Sequence, residues 1–401
     1  RTVKAGQLFF ALPGTQVDGH QFIPKAIEAG AIAIVCEHFP EAINSSITYI
    51  KVVDSNKELG YAASAFFNNP SEKLMLVGIT GTNGKTTAAT LLHHLFTKAG
   101  YKVGLISTVV NLVGEKKYEA THTTPDALHI NSLLNDMVSE GCAYCFMEVS
   151  SHAIVQERIA GLTFTGGAFT NITHDHLDYH KTFDEYIKAK KRFFDLLPSN
   201  AFALTNSDDR NGMVMMQNTK ASVKTYALKS MADYKCRIIE SGFDGMHLNI
   251  DNVDIWTEFI GEFNAYNLRA VYAVARQLGL EKEEDLRILS SLKPVSGRFE
   301  CIRSSDGVVA IVDYAHTPDA LINVLNTINK IRQGSEKLIT VAGCGGNRDK
   351  AKRPVMAVMA TENSDIAILT SDNPRCEDPN AILEDMKAGL SKELRSKALF
   401  I

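Results

Sequence analysis

Short apolar runs alternate with longer stretches of helical period along most of the chain, and Gly, Asn, Asp or Pro punctuate the joins. Over the first seventy residues this pattern predicts strands at 8–12, 31–36 and 49–53, with helices at 22–29 and 55–67. Asn68-Asn69-Pro70-Ser71-Glu72 breaks the series and reads as a linker. The alternation restarts with the apolar run 74–77, and further strands are expected at 103–107, 143–149, 165–171 and 201–206, with helices between them. Such a succession builds a largely parallel, doubly wound α/β sheet. Between 222 and 260 the period changes to polar–apolar alternation, predicting strands at 223–227, 235–240, 246–250 and 253–259 as an antiparallel insert. Helices follow at 263–278 and 285–292, then a hinge at 294–297. Beyond it a second α/β pattern begins, with strands at 308–313, 338–342 and 366–370 and helices at 318–331, 351–362 and 379–394. No internal repeat or low-complexity tract interrupts this order. The domains expected are therefore 1–70, 73–293 and 298–401.

Composition narrows the class. A length of 401 residues suits two or three domains, and 45% hydrophobic with 22% charged residues is ordinary for a globular protein. A net charge of −4 argues against nucleic acid or an anionic membrane as the main partner. No apolar run approaches the ~20 residues that span a bilayer, and no signal-peptide pattern opens the sequence. Seven scattered cysteines fit a reducing cytoplasm. Cys142 and Cys145 form a C-x-x-C, but no second pair completes a zinc site. They are expected to be core thiols on opposite faces of a strand. The abrupt start at Arg1-Thr2-Val3 and the strand-like end at Ala398-Leu399-Phe400-Ile401 suggest a fragment lacking material at both ends.

The strongest chemical signal is Gly78-Ile79-Thr80-Gly81-Thr82-Asn83-Gly84-Lys85-Thr86-Thr87, between a strand and a helix. A tight glycine turn there aims backbone N–H groups and a helix N-terminus at one spot suited to a triphosphate. Lys85 would meet the outer phosphates and the Thr86 hydroxyl a Mg²⁺ ion. The strict Walker pattern wants a glycine where Ile79 stands, so Gly78 and Gly81 must shape a variant loop.

Two further segments fall at expected strand ends, where ligands collect in parallel sheets. Glu148, in Glu148-Val149-Ser150-Ser151-His152, can take Mg²⁺, or belong to a helix-capping cluster. Residues 170–180 carry His174, Asp175, His176, Asp178 and His180, which suit a cation site, a polar loop or a zinc-binding surface at His176 and His180. In the predicted helix 183–197, Lys190 is the one basic residue centred on a stripe of Phe183, Tyr186, Ile187, Phe193, Phe194 and Leu197. Lys188 and Arg192 point towards water. A desolvated lysine offers a neutral amine that can take CO₂ as a carbamate; otherwise it snorkels from the core edge. Asn264 and Asn267 share a helix face and could read an adenine edge or cap the helix. Arg298 after the hinge can reach a phosphate, and Asp313-Tyr314-Ala315-His316 and Asp372-Asn373-Pro374-Arg375 sit at two more strand ends.

These segments, with Asp175-His176-Leu177-Asp178, stand in the order in which the Mur ligase family carries its motifs, and the chain resembles that family over essentially its whole length. The stretch through Asp18-Gly19-His20 resembles the family's uridine-binding domain. The resemblance implies three domains: a UDP-binding one, a central ATPase and a Rossmann-like one for the incoming amino acid. It implies an acyl phosphate on the D-glutamyl carboxylate of UDP-N-acetylmuramoyl-L-alanyl-D-glutamate, attacked by an amino acid's amine in bacterial cytoplasmic peptidoglycan synthesis. Lys85, Lys190, His176, Arg298 and His316 would be catalytic. Gly81, Thr82, Asn83, Gly84, Lys85, Thr86, Thr87, Asn264, Asn267, Arg298 and Asp313 would hold ATP. Thr123, Thr124, Ser150, Gln156 and Arg158 would hold the muramoyl dipeptide. Two Mg²⁺ ions are implied, one on Thr86 and Glu148 and one on His176 and carbamylated Lys190. Asp372, Asn373 and Arg375 belong to the form associated with meso-diaminopimelate, whose distal carboxylate Arg375 can pair with bidentately. Discrimination should be large, because that guanidinium would otherwise stay buried and unpaired. The family's remaining amino-acid-binding residues are expected beyond position 401. A monomer is expected. The competing readings are L-lysine as the added amino acid, a folylpolyglutamate synthetase, or a non-catalytic ATP-binding regulatory module.

Overall fold

The computed structural model describes residues 3–14, 17–173 and 177–401. Near the amino-terminal end β1 (Leu8–Phe10), β2 (Ala33–Cys36) and β3 (Thr48–Lys51) form a parallel sheet in that order. Asp54 then caps the helix Ser55–Phe66 by accepting the Lys57 amide, and Pro70 follows its end.

An eleven-stranded sheet dominates the molecule. Its strands are β4 (Met75–Thr80), β5 (Val103–Ile106), β6 (Val110–Val113), β7 (Lys116–Glu119), β8 (Tyr144–Glu148) and β9 (Gly166–Phe169), followed by β10 (Phe202–Asn206), β11 (Ser222–Ala227), β12 (Tyr234–Gly242), β13 (Gly245–Ile250) and β14 (Val253–Thr257). The spatial order is β14-β13-β12-β11-β10-β9-β4-β8-β5-β6-β7. From β11 to β5 all neighbours are parallel, so β4, β8, β9 and β10 end on one edge. The period-2 alternation explains how both faces are covered. Val77 and Ile79 of β4 pack with Leu91 and Leu95 of the helix Lys85–Lys98 and with Leu268 and Val271 of the helix Glu262–Gln277. Leu76 turns the other way, towards Ile130 of the helix Ala127–Ser139 and Phe193 of the helix Phe183–Asp195.

Three details differ from the sequence pattern. The hairpin β6–β7 was not expected: β7 is Lys-Lys-Tyr-Glu, exposed throughout, and is held by its ladder with β6 rather than by burial. The first strand of the supposed insert, β11, pairs in parallel with β10, and antiparallel pairing starts only between β12 and β13. Cys142 lies before β8 begins, so it packs into the same core as Cys145; burial pushes both thiols up, as core thiols require.

Towards the carboxyl-terminal end β15 (Glu300–Arg303) and β16 (Val309–Val312) form an antiparallel pair. The strands β17 (Ile339–Cys344), β18 (Ile366–Ser371) and β19 (Ala398–Phe400) form a parallel sheet against the helices Lys352–Glu362 and Pro379–Ala388. The helix expected over 379–394 stops at Ala388. Gly389 there lies against the Pro354 carbonyl, which a Cβ would approach to 2.6 Å, and Ser391 caps a separate short helix, Lys392–Arg395.

Candidate active site

The loop after β4 is as tight as its glycines imply. A Cβ on Gly81 would stand 1.9 Å from the Thr170 hydroxyl, and one on Gly84 (φ +86°) 2.4 Å from Asn267 Oδ1. Gly84 begins the helix Lys85–Lys98, whose first amides have no partner within the helix. Lys85 Nζ donates to the carbonyls of Gly81 (2.9 Å) and Thr82 (2.8 Å).

Glu148 ends β8 beside Ile79 of β4. It is 0% exposed; Oε1 accepts the Thr108 amide at 2.7 Å, while Oε2 has no partner among the described residues. The capping role belongs to Ser150, whose hydroxyl accepts the Ala153 amide. A buried carboxylate oxygen and the nearly buried Thr86 hydroxyl line the same cleft, and both are the hard oxygen donors that Mg²⁺ prefers. The donor set fits the ion.

Lys190 is 1% exposed, so it does not snorkel. Its Nζ donates to the Gly81 carbonyl at 2.8 Å and lies 4.8 Å from the centre of the Tyr186 ring, whose hydroxyl meets Thr82 Oγ1 at 3.1 Å. The helix stripe thus delivers its lysine to the glycine loop. Lys188 does reach solvent, but Arg192 is half-buried and pairs with Glu157. His174, Asp175 and His176 lie outside the described residues. His180 is buried and within 2.9 Å of the Ser151 hydroxyl, which argues against a zinc-binding surface.

On the far side of Glu148 the expected dipeptide residues form one hydrogen-bonded group. Thr124 Oγ1 donates to the Glu148 carbonyl and accepts the Ser150 amide. Arg158 donates to the Thr124 carbonyl at 2.7 Å and to Gln156 Oε1 at 2.7 Å, and Thr123 joins through Thr108.

Across the cleft, Gly261 caps the helix Glu262–Gln277 by position and the asparagines do not. Asn264 donates to the Ile260 carbonyl and Asn267 to Asn264 Oδ1, both buried. Arg298 stacks on the Tyr314 ring and donates to Thr86 Oγ1 at 3.2 Å. Burial pushes Asp313 up, although its Oδ2 accepts the Phe299 amide. His316 is exposed, its Nδ1 donating to the Tyr314 carbonyl. A cleft of about 2110 Å³ runs from the glycine loop past these residues to Asp372 and Arg375; Gly81, Gln156 and Asn373 do not line it. Arg375 is exposed and donates to the Gly346 carbonyl at 2.7 Å, so it is neither buried nor unpaired.

The sequence pattern missed Asn171, Thr170 and Asp208, because each acts through backbone groups brought close only by the fold. Burial would raise the Asp208 carboxyl, but the Lys229 and Leu228 amides and the Tyr266 hydroxyl hold it at about 2. It thereby anchors the Tyr266 hydroxyl at the cleft.

The chain matches three family models: "Mur ligase family, catalytic domain" over 1–79, "Mur ligase middle domain" over 79–275, and "Mur ligase, glutamate ligase domain" over 297–399. It is 57% identical over 401 residues to a UDP-N-acetylmuramoyl-L-alanyl-D-glutamate–2,6-diaminopimelate ligase of Phocaeicola vulgatus, covering 100% of this chain and 83% of that protein. The chain belongs to the Mur ligase family. A solved structure of a ligase with the same description superposes with a TM-score of 0.74 at 31% identity, covering 100% of this chain and 82% of that one. The folylpolyglutamate synthase of Mycobacterium tuberculosis shares the fold at a TM-score of 0.68, over 86% of this chain and 85% of that one, but at only 16% identity. As a Mur ligase, the chain has its glycine loop and Lys190 in the middle-domain segment and Arg298 in the glutamate-ligase segment, which meet at Thr86.

Proposed function

We propose that this Mur ligase is an ATP-dependent amide ligase that joins an amine of meso-diaminopimelate to the D-glutamyl carboxylate of UDP-N-acetylmuramoyl-L-alanyl-D-glutamate, in cytoplasmic peptidoglycan precursor synthesis. The observation that carries the catalytic reading is the buried Lys190 side chain, its Nζ on the carbonyl of Gly81. The 57% identity to a ligase of that name supports the substrate assignment. Residues 1–70 form the UDP-binding domain, 73–293 the ATPase and 298–401 the amino-acid domain, acting as a monomer.

A carboxylate is a poor electrophile, and phosphorylation supplies a leaving group. A D-glutamyl oxygen bonds to the γ-phosphorus as the bond to ADP breaks. The amine then bonds to the acyl carbon, phosphate departs with that oxygen, and the amine loses a proton. Both steps bring anions or crowded polar groups together, so charge and alignment decide the rate. Lys85 and the first amides of its helix hold the outer phosphates. Arg298 approaches from the opposite wall and, with His316, closes the site against water. Asn264 and Asn267 hold the base, Asp313 the nucleotide, and Thr123, Thr124, Ser150, Gln156 and Arg158 the dipeptide. Thr86 and Glu148 would hold Mg²⁺, which neutralises phosphate charge when bound. Lys190 would carry a carbamate, formed when its neutral amine bonds to the carbon of CO₂ and releases a proton, and with His176 it would hold a second cation that adds positive charge when bound. Asp372, Asn373 and Arg375 receive the distal end of diaminopimelate.

The readings with L-lysine and with a regulatory ATP-binding module make different predictions. Lysine leaves Arg375 without an anion, and a regulatory module gives no use to the buried Lys190. Product mass after incubation with ATP, Mg²⁺ and the UDP-dipeptide, with diaminopimelate or L-lysine offered in parallel, tests all three. A diaminopimelate adduct formed at least about tenfold faster than any lysine adduct is expected; lysine added as fast, or ATP binding with neither adduct, overturns the assignment.

A further inference from the structure

The glycine loop departs from the strict Walker pattern, and the structure identifies how it keeps its shape. Ile79 stands at the missing glycine's position but belongs to β4 and is fully buried, so it contributes nothing to the turn. The bend is confined to Gly81 through Gly84. So short a loop cannot satisfy its own amides and needs an external partner to remain ordered.

That partner is the segment following β9. The Asn171 carbonyl accepts the Thr82 amide at 2.8 Å. The Asn171 side chain then takes both backbone groups of Asn83: Oδ1 accepts its N–H at 3.0 Å, and Nδ2 donates to its carbonyl at 3.0 Å. Thr170 Oγ1 donates to the same carbonyl at 2.6 Å. A carboxamide offers one donor and one acceptor in a plane, as a neighbouring strand does. The match also has a consequence for binding. With the Asn83 N–H occupied, the phosphate cradle is left to Gly84 and the first turn of the helix behind it.

We infer that Asn171 is a positioning residue for nucleotide binding, its side-chain amide pairing with the Asn83 peptide groups in place of the order a Walker glycine turn supplies. This rests on the cleft being a nucleotide site. Aspartate at position 171 would keep the acceptor for the Asn83 N–H but turn a second acceptor towards the Asn83 carbonyl. It also adds negative charge beside the phosphates.

The test is titration calorimetry of Mg·ATP and, separately, of the UDP-dipeptide into the wild-type chain, Asn171→Ala and Asn171→Asp, with thermal unfolding alongside. Loss of two backbone hydrogen bonds should weaken Mg·ATP binding about tenfold in Asn171→Ala and further in Asn171→Asp. Affinity for the UDP-dipeptide should stay within about twofold of wild type, since Asn171 touches none of its expected residues. Mg·ATP affinity unchanged in both variants overturns the inference, and so does equal weakening of both ligands, which marks a general structural role. If Asn171→Ala does not fold, Asn171→Asp carries the same comparison. Failure of the wild-type chain to bind Mg·ATP at all would instead overturn the nucleotide reading on which the inference rests.

Discussion

Arg298 Nη2 donates to Thr86 Oγ1 at 3.2 Å, joining residues 212 positions apart. The guanidinium is flattened on the Tyr314 ring 4.6 Å away, so it is aimed before any ligand arrives. Arg298→Ala should therefore lower kcat/KM for ATP by about 10- to 100-fold, the range for one charge-assisted hydrogen bond. Arg298→Lys should recover little, because an ammonium neither stacks nor forks. Steady-state kinetics of the three proteins check this, and full activity in Arg298→Lys would show that a point charge suffices.

Lys190 should carry one CO₂. In ¹³C-bicarbonate the wild-type chain is expected to show a carbamate carbon signal that Lys190→Ala lacks, and the variant should lose ligation while remaining folded. Lys190→Arg should also fail, since guanidinium is not a nucleophile at neutral pH.

Selectivity at Arg375 should be moderate. Its guanidinium is exposed and satisfied by the Gly346 carbonyl, so a substrate without a distal carboxylate leaves no stranded buried charge. The preference for diaminopimelate over lysine contributed by Arg375 is then that of one bidentate pair, about 10- to 100-fold rather than the far larger ratio of a buried site. Competition assays with Arg375→Ala measure it directly.

Asp285 is buried with neither carboxylate oxygen hydrogen-bonded among the described residues, and burial pushes it up to about 8 against the pull of Arg276 and Arg269. A raised folded pKa means that the native state holds the proton where the unfolded chain releases it. The contribution is complete below pH ~4 and is lost as pH rises through about 8. Asp285→Asn should raise the unfolding midpoint by several degrees at pH 8 and leave it nearly unchanged at about pH 4. An equal shift at both pH values would contradict the assignment.

Much of this was legible in the sequence because it depends on local periodicity. The strand–loop–helix of Gly81–Thr87 and the placement of Lys190 on an apolar stripe both follow from spacing alone, and the fold buries that lysine against that loop. The hairpin β6–β7 was not legible, since an exposed Lys-Lys-Tyr-Glu strand carries no alternation and exists through its partner's hydrogen bonds. Asn171 and Asp208 were hidden for a related reason: each side chain binds backbone amides or carbonyls far away in sequence, and backbone groups leave no mark in residue type. The exposure of Arg375 was misjudged because a motif names the side chain and not the neighbouring carbonyl that receives it.

The most direct test of the ligase account is the fate of the D-glutamyl oxygens. With the carboxylate of the UDP-dipeptide labelled with ¹⁸O, and ATP, Mg²⁺ and meso-diaminopimelate supplied, the account predicts one ¹⁸O in each phosphate released. Unlabelled phosphate accompanying product would contradict an acyl phosphate at this site.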